Sequence, residues 1–221
     1  MGQLTRDTPK AMLPVKGAPL IQHILERLAS VGIDEPFVVV GYHREVITDY
    51  FADWSRRIEF CVQDPVNGAG SAARLAKDFV GNESFLLTYG DILCEPSDYV
   101  RCVSILDENP ATTATVAVKS VDDPWQGAAV YEEKGEIRDI IEKPPKGTST
   151  TRWNSAGFYA FRPLVFDYLD RVRPSQRNEY ELTSALDMML EDKLELRISP
   201  VEGEWRDVGR PEDLAAVNAG Q

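Results

Sequence analysis

Apolar positions recur every three to four residues from 19 to 32, where Leu20, Ile21, Ile24, Leu25, Leu28 and Val31 mark one face of a helix. Pro19 suits its first turn and Gly32 its C-terminal end. Phe37-Val38-Val39-Val40-Gly41 is instead a short unbroken apolar run, the pattern of a strand covered on both faces. The alternation continues with a helix over 44–53, a strand over 58–63, a glycine turn at 68–71 leading into a helix that ends near Phe79, and a strand over 85–89. A helix over 97–107 and a strand over 113–119 follow. Strand–helix alternation of this kind predicts an α/β fold, a Rossmann-like mixed and mostly parallel sheet with helices on both faces.

After Val121 the rhythm changes. Segments 128–132 and 136–141, joined around Lys134-Gly135, read as a hairpin. A strand over 157–161, a helix from Pro163 to Val172, a helix over 182–190 and a strand over 194–199 come next. A strand end at 205–207 and a helix over 211–218 close the pattern. Segment 144–152, rich in Thr, Gly and Pro, is the expected mobile loop.

A chain of 221 residues with 43% hydrophobic and 27% charged positions is expected to form one globular domain spanning 1–221. Asp and Glu number 36 against 24 Lys and Arg, a net charge of −12. That excess argues against nucleic-acid partners, which need a basic face. It leaves room for a small anion where a few basic side chains converge. Cys61, Cys94 and Cys102 have no metal-ligand spacing and are expected as free thiols in a reducing compartment, Cys61 in the core. No apolar run approaches the roughly 20 residues of a membrane span, and no signal-peptide pattern opens the chain. A cytoplasmic location without membrane partners is the expectation.

Four groups end or follow predicted strands, where open α/β sheets bind ligands. Lys10, on a turn fixed by Pro9, can meet a polyphosphate as a point charge, or be a solvated loop lysine. In the second group, residues 63–72, small residues let backbone approach a base or phosphate, and Gln63 can both donate to and accept from a base edge. The alternative is a turn that merely needs glycine. Asp91, after Tyr89-Gly90, suits Mg²⁺ or a helix N-cap. The fourth group pairs Glu142-Lys143-Pro144 with Trp205-Arg206-Asp207, offering carboxylates to sugar hydroxyls or a metal and an ammonium to phosphate, or only surface ion pairs. His23 is expected to be structural and His43 to cap a helix or face solvent.

Taken in order, Pro9-Lys10-Ala11-Met12-Leu13-Pro14, Gly90-Asp91, Glu142-Lys143-Pro144, Glu179-Tyr180-Glu181-Leu182-Thr183 and Trp205-Arg206-Asp207-Val208-Gly209-Arg210-Pro211-Glu212-Asp213 resemble the sugar-1-phosphate nucleotidylyltransferases. That family includes the glucose-1-phosphate thymidylyltransferases and mannose-1-phosphate guanylyltransferases, and the likeness runs from about Leu4 to Asn218. It implies transfer of a nucleoside monophosphate from an NTP to a sugar-1-phosphate, with Mg²⁺ as cofactor. Lys10 would hold the triphosphate, with Asp91 and Asp207 as metal ligands. Gln63 and Gly68 would read the base, and Gly127, Glu142 and Lys143 would contact the sugar phosphate. Lys10, Lys143 and Asp91 would form the catalytic set.

The Gln63–Gly68 spacing resembles users of dTTP or UTP rather than GTP. A homo-oligomer stays open. A non-catalytic regulatory subunit or nucleotide-sugar sensor, and a nucleotide-sugar-dependent glycosyltransferase, are the competing expectations. The family's opening strand and glycine loop do not precede Lys10, so Met1 is expected to be internal to a longer chain, and the 221 residues by themselves to turn over weakly or not at all. Ala69 stands where the family often has Thr, and Ser155 where it has Asn, with Asn154 one place earlier.

Overall fold

A computed structural model describes residues 5–219; the start of the family likeness, at about Leu4, lies outside the described residues. The chain forms two compact units, one of residues 1–66, 89–97 and 203–221, the other of residues 67–88 and 98–202. Among the described residues no helix is long and apolar enough to cross a membrane.

In the first unit a 3-10 turn over Lys10–Met12 leads into a small antiparallel pair, β1 (Pro14–Val15) and β2 (Ala18–Pro19). Helix α1 (Leu20–Ser30) buries Leu20, Ile21, Ile24, Leu25 and Leu28, the face its periodicity predicts. It ends where Gly32 turns to positive φ and Ile33 N–H reaches back to the Leu28 carbonyl. Strand β3 (Phe37–Val40) pairs in parallel with β4 (Glu59–Val62), Phe37 opposite Glu59. Helix α2 (Arg44–Tyr50) packs Ile47 and the following Phe51 with Ile21, Leu25 and Val40 into a small core, edged by Phe60 and Trp54. His43 precedes α2 in the left-handed region without a side-chain cap bond, and His23 is a structural residue whose Nε2 meets the Val15 carbonyl at 2.7 Å. Strand β6 (Ile92–Cys94) runs antiparallel to β12 (Trp205–Asp207), and α8 (Pro211–Ala219) returns Asn218 to Pro14 and Lys16.

The second unit holds a six-stranded sheet in the order β5–β10–β7–β11–β9–β8. Its strands are β5 (Phe85–Thr88), β7 (Thr112–Ser120), β8 (Ala128–Glu133), β9 (Glu136–Glu142), β10 (Trp153–Phe161) and β11 (Glu195–Pro200). Side-chain alternation along β10 serves both faces. Phe158 meets Tyr99 of α5 (Pro96–Glu108), while on the other side Phe161 meets Phe85 of β5, which stacks on Phe166 of α6 (Val165–Leu169). Two short helices, α3 (Ala69–Arg74) and α4 (Lys77–Val80), replace the single one expected after the glycine turn, and α7 (Leu182–Glu191) covers β9.

The α/β expectation of a mixed sheet is met, but its mostly parallel character is not. Only β3–β4 and β7–β11 are parallel among the described pairings; the others are antiparallel. The reason is β10. Strands β5 and β7, joined through α5, point the same way, and β10 lies between them antiparallel to both. Local periodicity reads the crossover but not the later strand that separates its ends.

Among the described residues Cys94 and Cys102 are buried and Cys61 is half-buried, none of them in a disulfide, so Cys61 is less enclosed than expected. Loop 144–152 is tied to the segment before Gly127. Gly147 N–H donates to Asp123 Oδ2 at 2.8 Å, Val121 N–H to the Arg152 carbonyl at 2.9 Å, and the Lys146 ammonium lies 5.4 Å from the centre of the Trp125 ring.

Candidate active site

Pro9 sets the extended backbone from which the Lys10 turn begins. Gly90 brings the chain past Ala11, and Asp91 stands directly before β6. The β6–β12 ladder pairs Asp207 with Ile92, and Val208 N–H donates to the Asp91 carbonyl at 3.0 Å. Two aspartates 116 positions apart in the chain are thereby placed side by side in one unit.

The Lys10 ammonium donates to Asp91 Oδ2 and lies 3.7 Å from Asp207 Oδ1, so one cation faces two carboxylates. Burial pushes the Asp207 carboxyl above its ordinary range, the Asp91 charge adds to the rise, and Lys10 works against both. The cluster therefore has more negative charge than a single ammonium balances. Hard carboxylate oxygens with residual negative charge fit a divalent cation such as Mg²⁺, which takes one or two carboxylates and fills its remaining positions with water and phosphate. No group of three or more His, Cys, Asp or Glu suited to a metal occurs among the described residues. Gly209 lies over Asp207, where an added Cβ would come within 3.1 Å of its Oδ1. Gln63, half-buried after β4 in the same unit, is anchored through its backbone N–H to the Val40 carbonyl.

Gly68, Gly127, Glu142 and Lys143 belong to the second unit. Lys143 N–H donates to the Gly127 carbonyl at 2.8 Å, and Glu142, the last residue of β9, pairs with Ala128. Three of the expected sugar-phosphate residues therefore meet at one strand end. Asn154 joins them, its side-chain amide against the Cα of Gly127, leaving no room for a Cβ there. A register shift in β10 between Ser155 and Tyr159 puts three β10 residues, 156–158, against the single β7 residue Ala117. Asn154, ahead of that shift and in regular register with Lys119, is the residue that faces Gly127. Gly68 has φ +122° and lies on the Tyr180 backbone, while Tyr180 N–H and carbonyl bond to Asn67 and Gly70.

The expectations missed Arg177 and Thr183. Arg177 Nη2 donates to Glu142 Oε1 at 3.3 Å and to Glu181 Oε1 at 2.7 Å, and Thr183 Oγ1 donates to Glu142 Oε2 at 3.2 Å. The Glu179–Thr183 motif was visible in sequence, but not which carboxylate it serves. Asp187, one turn further along α7, was missed as well. Burial first, then the charges of Asp139, Glu191 and Glu142, push its carboxyl up to about 7. A carboxyl raised on folding contributes stability that is lost as pH climbs from its unfolded value of 3.8 towards 7. We expect Asp187→Asn to match the native protein near pH 4 and to exceed it at pH 8 by on the order of 1–2 kcal/mol, allowing for solvent screening. Urea unfolding at the two pH values checks this; equal differences at both would refute it.

The family model described as "Nucleotidyl transferase" matches residues 2–221. The "Bifunctional protein GlmU" of Methanococcus maripaludis is 34% identical over 97% of this chain and 50% of its own length. The "Low-salt glycan biosynthesis nucleotidyltransferase Agl11" of Haloferax volcanii is 34% identical over 97% of this chain and 60% of its own. The chain thus spans about half the length of several curated relatives it matches. "UTP--glucose-1-phosphate uridylyltransferase AglF" of the same Haloferax is 32% identical over 95% of this chain and 86% of its own. Among solved structures, a Bacillus anthracis protein assigned as a glucose-1-phosphate thymidylyltransferase, in complex with a sucrose, superposes with TM-score 0.86 at 27% identity, covering 99% of this chain and 89% of that one. A UDP-glucose pyrophosphorylase complexed with UDP-glucose shares the fold, with TM-score 0.88 at 23% identity, over 100% of this chain and 92% of that one.

Proposed function

The chain belongs to the nucleotidyl transferase family, and from that premise we infer that it transfers a nucleoside monophosphate from an NTP to a sugar-1-phosphate, releasing pyrophosphate. The observation that supports this most is the Lys10 ammonium set between Asp91 and Asp207. A sugar phosphate oxygen is already nucleophilic, so the protein's task is alignment with the α-phosphorus, charge neutralisation and exclusion of water.

In this reading the residues act as one cytoplasmic nucleotidyltransferase domain. Lys10 turns from its carboxylates towards the triphosphate and steadies the charge on the leaving pyrophosphate. Asp91 and Asp207 would hold Mg²⁺, which when bound neutralises phosphate oxygens. Gln63 and the Gly68 backbone would each read the base. Glu142 accepts from sugar hydroxyls, while Lys143 and the Gly127 backbone take the sugar phosphate. The likeness to AglF favours UTP, with dTTP next, and glucose 1-phosphate as acceptor. Nothing in the relatives' names favours a regulatory subunit.

The test is a screen of the complete gene product with four NTPs against glucose, mannose and N-acetylglucosamine 1-phosphates in MgCl₂, reading pyrophosphate. UTP or dTTP with glucose 1-phosphate is expected to give the highest rate, and EDTA to abolish it. Binding of a nucleotide-sugar with no pyrophosphate from any pair would overturn the transferase reading in favour of a sensor.

A further inference from the structure

Tyr42, two residues beyond β3 in the first unit, is 60% exposed and stands outside the small core that Val40, Ile47 and Phe51 join. An aromatic ring left in water forgoes the burial that usually decides its place, and its hydroxyl then decides it instead. Tyr42 Oη donates to the Arg6 carbonyl at 2.5 Å, the short end of the range for hydroxyl bonds. The His43 ring meets the tyrosine edge-on, with centroids 4.0 Å apart and planes at 64°. His43 is itself fixed: its backbone takes the left-handed conformation before α2, and its Nδ1 lies 3.3 Å from Glu45 Oε1. A line of contacts therefore runs from the first turn of α2 through two rings to the backbone of Arg6.

The receiving end has little else to hold it. Among the described residues Arg6, Asp7 and Thr8 make no other hydrogen bond or ion pair, and the buried Pro9 and the Lys10 turn follow directly. The end of β3 also meets the segment of Gln63. Gln63 N–H donates to the Val40 carbonyl at 2.8 Å, and the Val66 side chain lies against Gly41, where an added Cβ would come within 2.5 Å of its Cγ2. Three consecutive residues, Val40, Gly41 and Tyr42, thus hold both the segment of Gln63 and the segment that leads to Lys10.

We propose that Tyr42 is a positioning residue for the nucleoside triphosphate: its hydroxyl, on the Arg6 carbonyl, ties residues 6–9 to the end of β3 and so sets Lys10 in place before the nucleotide arrives. The proposal rests on the transferase reading. Tyr42 acts through the Lys10 segment and not on the substrate. Its contribution is preorganisation, since a segment already tied down does not have to be ordered by the ligand. Loss of one neutral hydrogen bond shifts the ordered-to-open ratio of such a segment about fivefold.

The experiment compares Tyr42→Phe, Tyr42→Ala and His43→Ala with the native protein, each as the complete gene product. Brief trypsin digestion without ligand reads cleavage after Arg6 by mass spectrometry, with cleavage after the exposed Arg57 as the internal reference. Steady-state kinetics use UTP and glucose 1-phosphate in MgCl₂. Tyr42→Phe keeps the ring and loses only the donor. Its cleavage after Arg6 is expected to run about fivefold faster at unchanged Tm and unchanged cleavage after Arg57, because proteolysis follows the population of the opened segment. The KM for UTP rises about threefold, as fewer molecules are ready to bind, while kcat and the KM for glucose 1-phosphate stay within about 1.5-fold. Tyr42→Ala matches Tyr42→Phe, and His43→Ala, which frees the ring, gives part of the effect. Native cleavage in Tyr42→Phe, or an effect seen in Tyr42→Ala alone, would overturn the tether in favour of ring packing. Parallel gains after Arg6 and Arg57, or equal rises in both KM values, would overturn the positioning role as general loosening. A native protein that releases no pyrophosphate from any pair sinks the transferase reading instead, and the ligand-free digestion still decides the tether.

Discussion

Lys10→Met is expected to lower pyrophosphate release by about 10²–10³-fold, the cost of removing one preorganised charge from a phosphoryl-transfer site. In the proposed reaction the loss falls on kcat, because the ammonium would act where charge builds on the departing phosphates. A second effect follows from the resting geometry. Lys10 is the group that counters the rise of the Asp207 carboxyl, so its removal leaves Asp91 and Asp207 repelling each other. The variant should therefore gain more thermal stability from added MgCl₂ than the native protein does. Steady-state kinetics with a melting series in MgCl₂ checks both parts. A fall of less than tenfold, with identical melting responses, would remove Lys10 from the machinery.

The second large effect is on folding. Gly68→Ala puts a Cβ 2.5 Å from the Tyr180 carbonyl oxygen and 2.7 Å from its nitrogen, at φ +122° where side-chain-bearing residues are strained. Backbone on either side cannot yield cheaply, because Asn67 and Gly70 are both bonded to Tyr180. A cost of about 2–4 kcal/mol is expected, read as a lower urea midpoint at unchanged slope. A shift below about 1 kcal/mol would mean that the turn repacks. Gly68 is thus demanded by chain packing before any nucleotide arrives, and activity lost in this variant alone would not demonstrate a base contact.

The residues legible in sequence are those whose chemistry sits at a strand end. Lys10, Asp91 and Asp207 could be picked out because proline, glycine or a short apolar run announces each turn, and the ladder from Ile92 to Asp207 then unites them. The helix over 20–30 was legible from period alone. Strands β1, β2 and β6 were not, since two or three residues are too short to show a period. The place of β10 was hidden for another reason. Its stretch 157–161 reads as a strand, but insertion between β5 and β7 is a tertiary choice with no local mark. Arg177 was illegible likewise. An arginine among Gln176, Asn178 and Glu179 reads as solvated surface until packing brings Glu142 to it.

The tie between Asp123 and Gly147, with Val121 on Arg152 and Lys146 over Trp125, has an engineering consequence. The two loops, 121–127 and 143–152, hold one another, because each arm's contacts are met by the other's. An insertion grafted into one alone would pull Gly147 off its aspartate and drag on Gly127, whose carbonyl receives Lys143. Loop swaps from relatives therefore have to move both arms together.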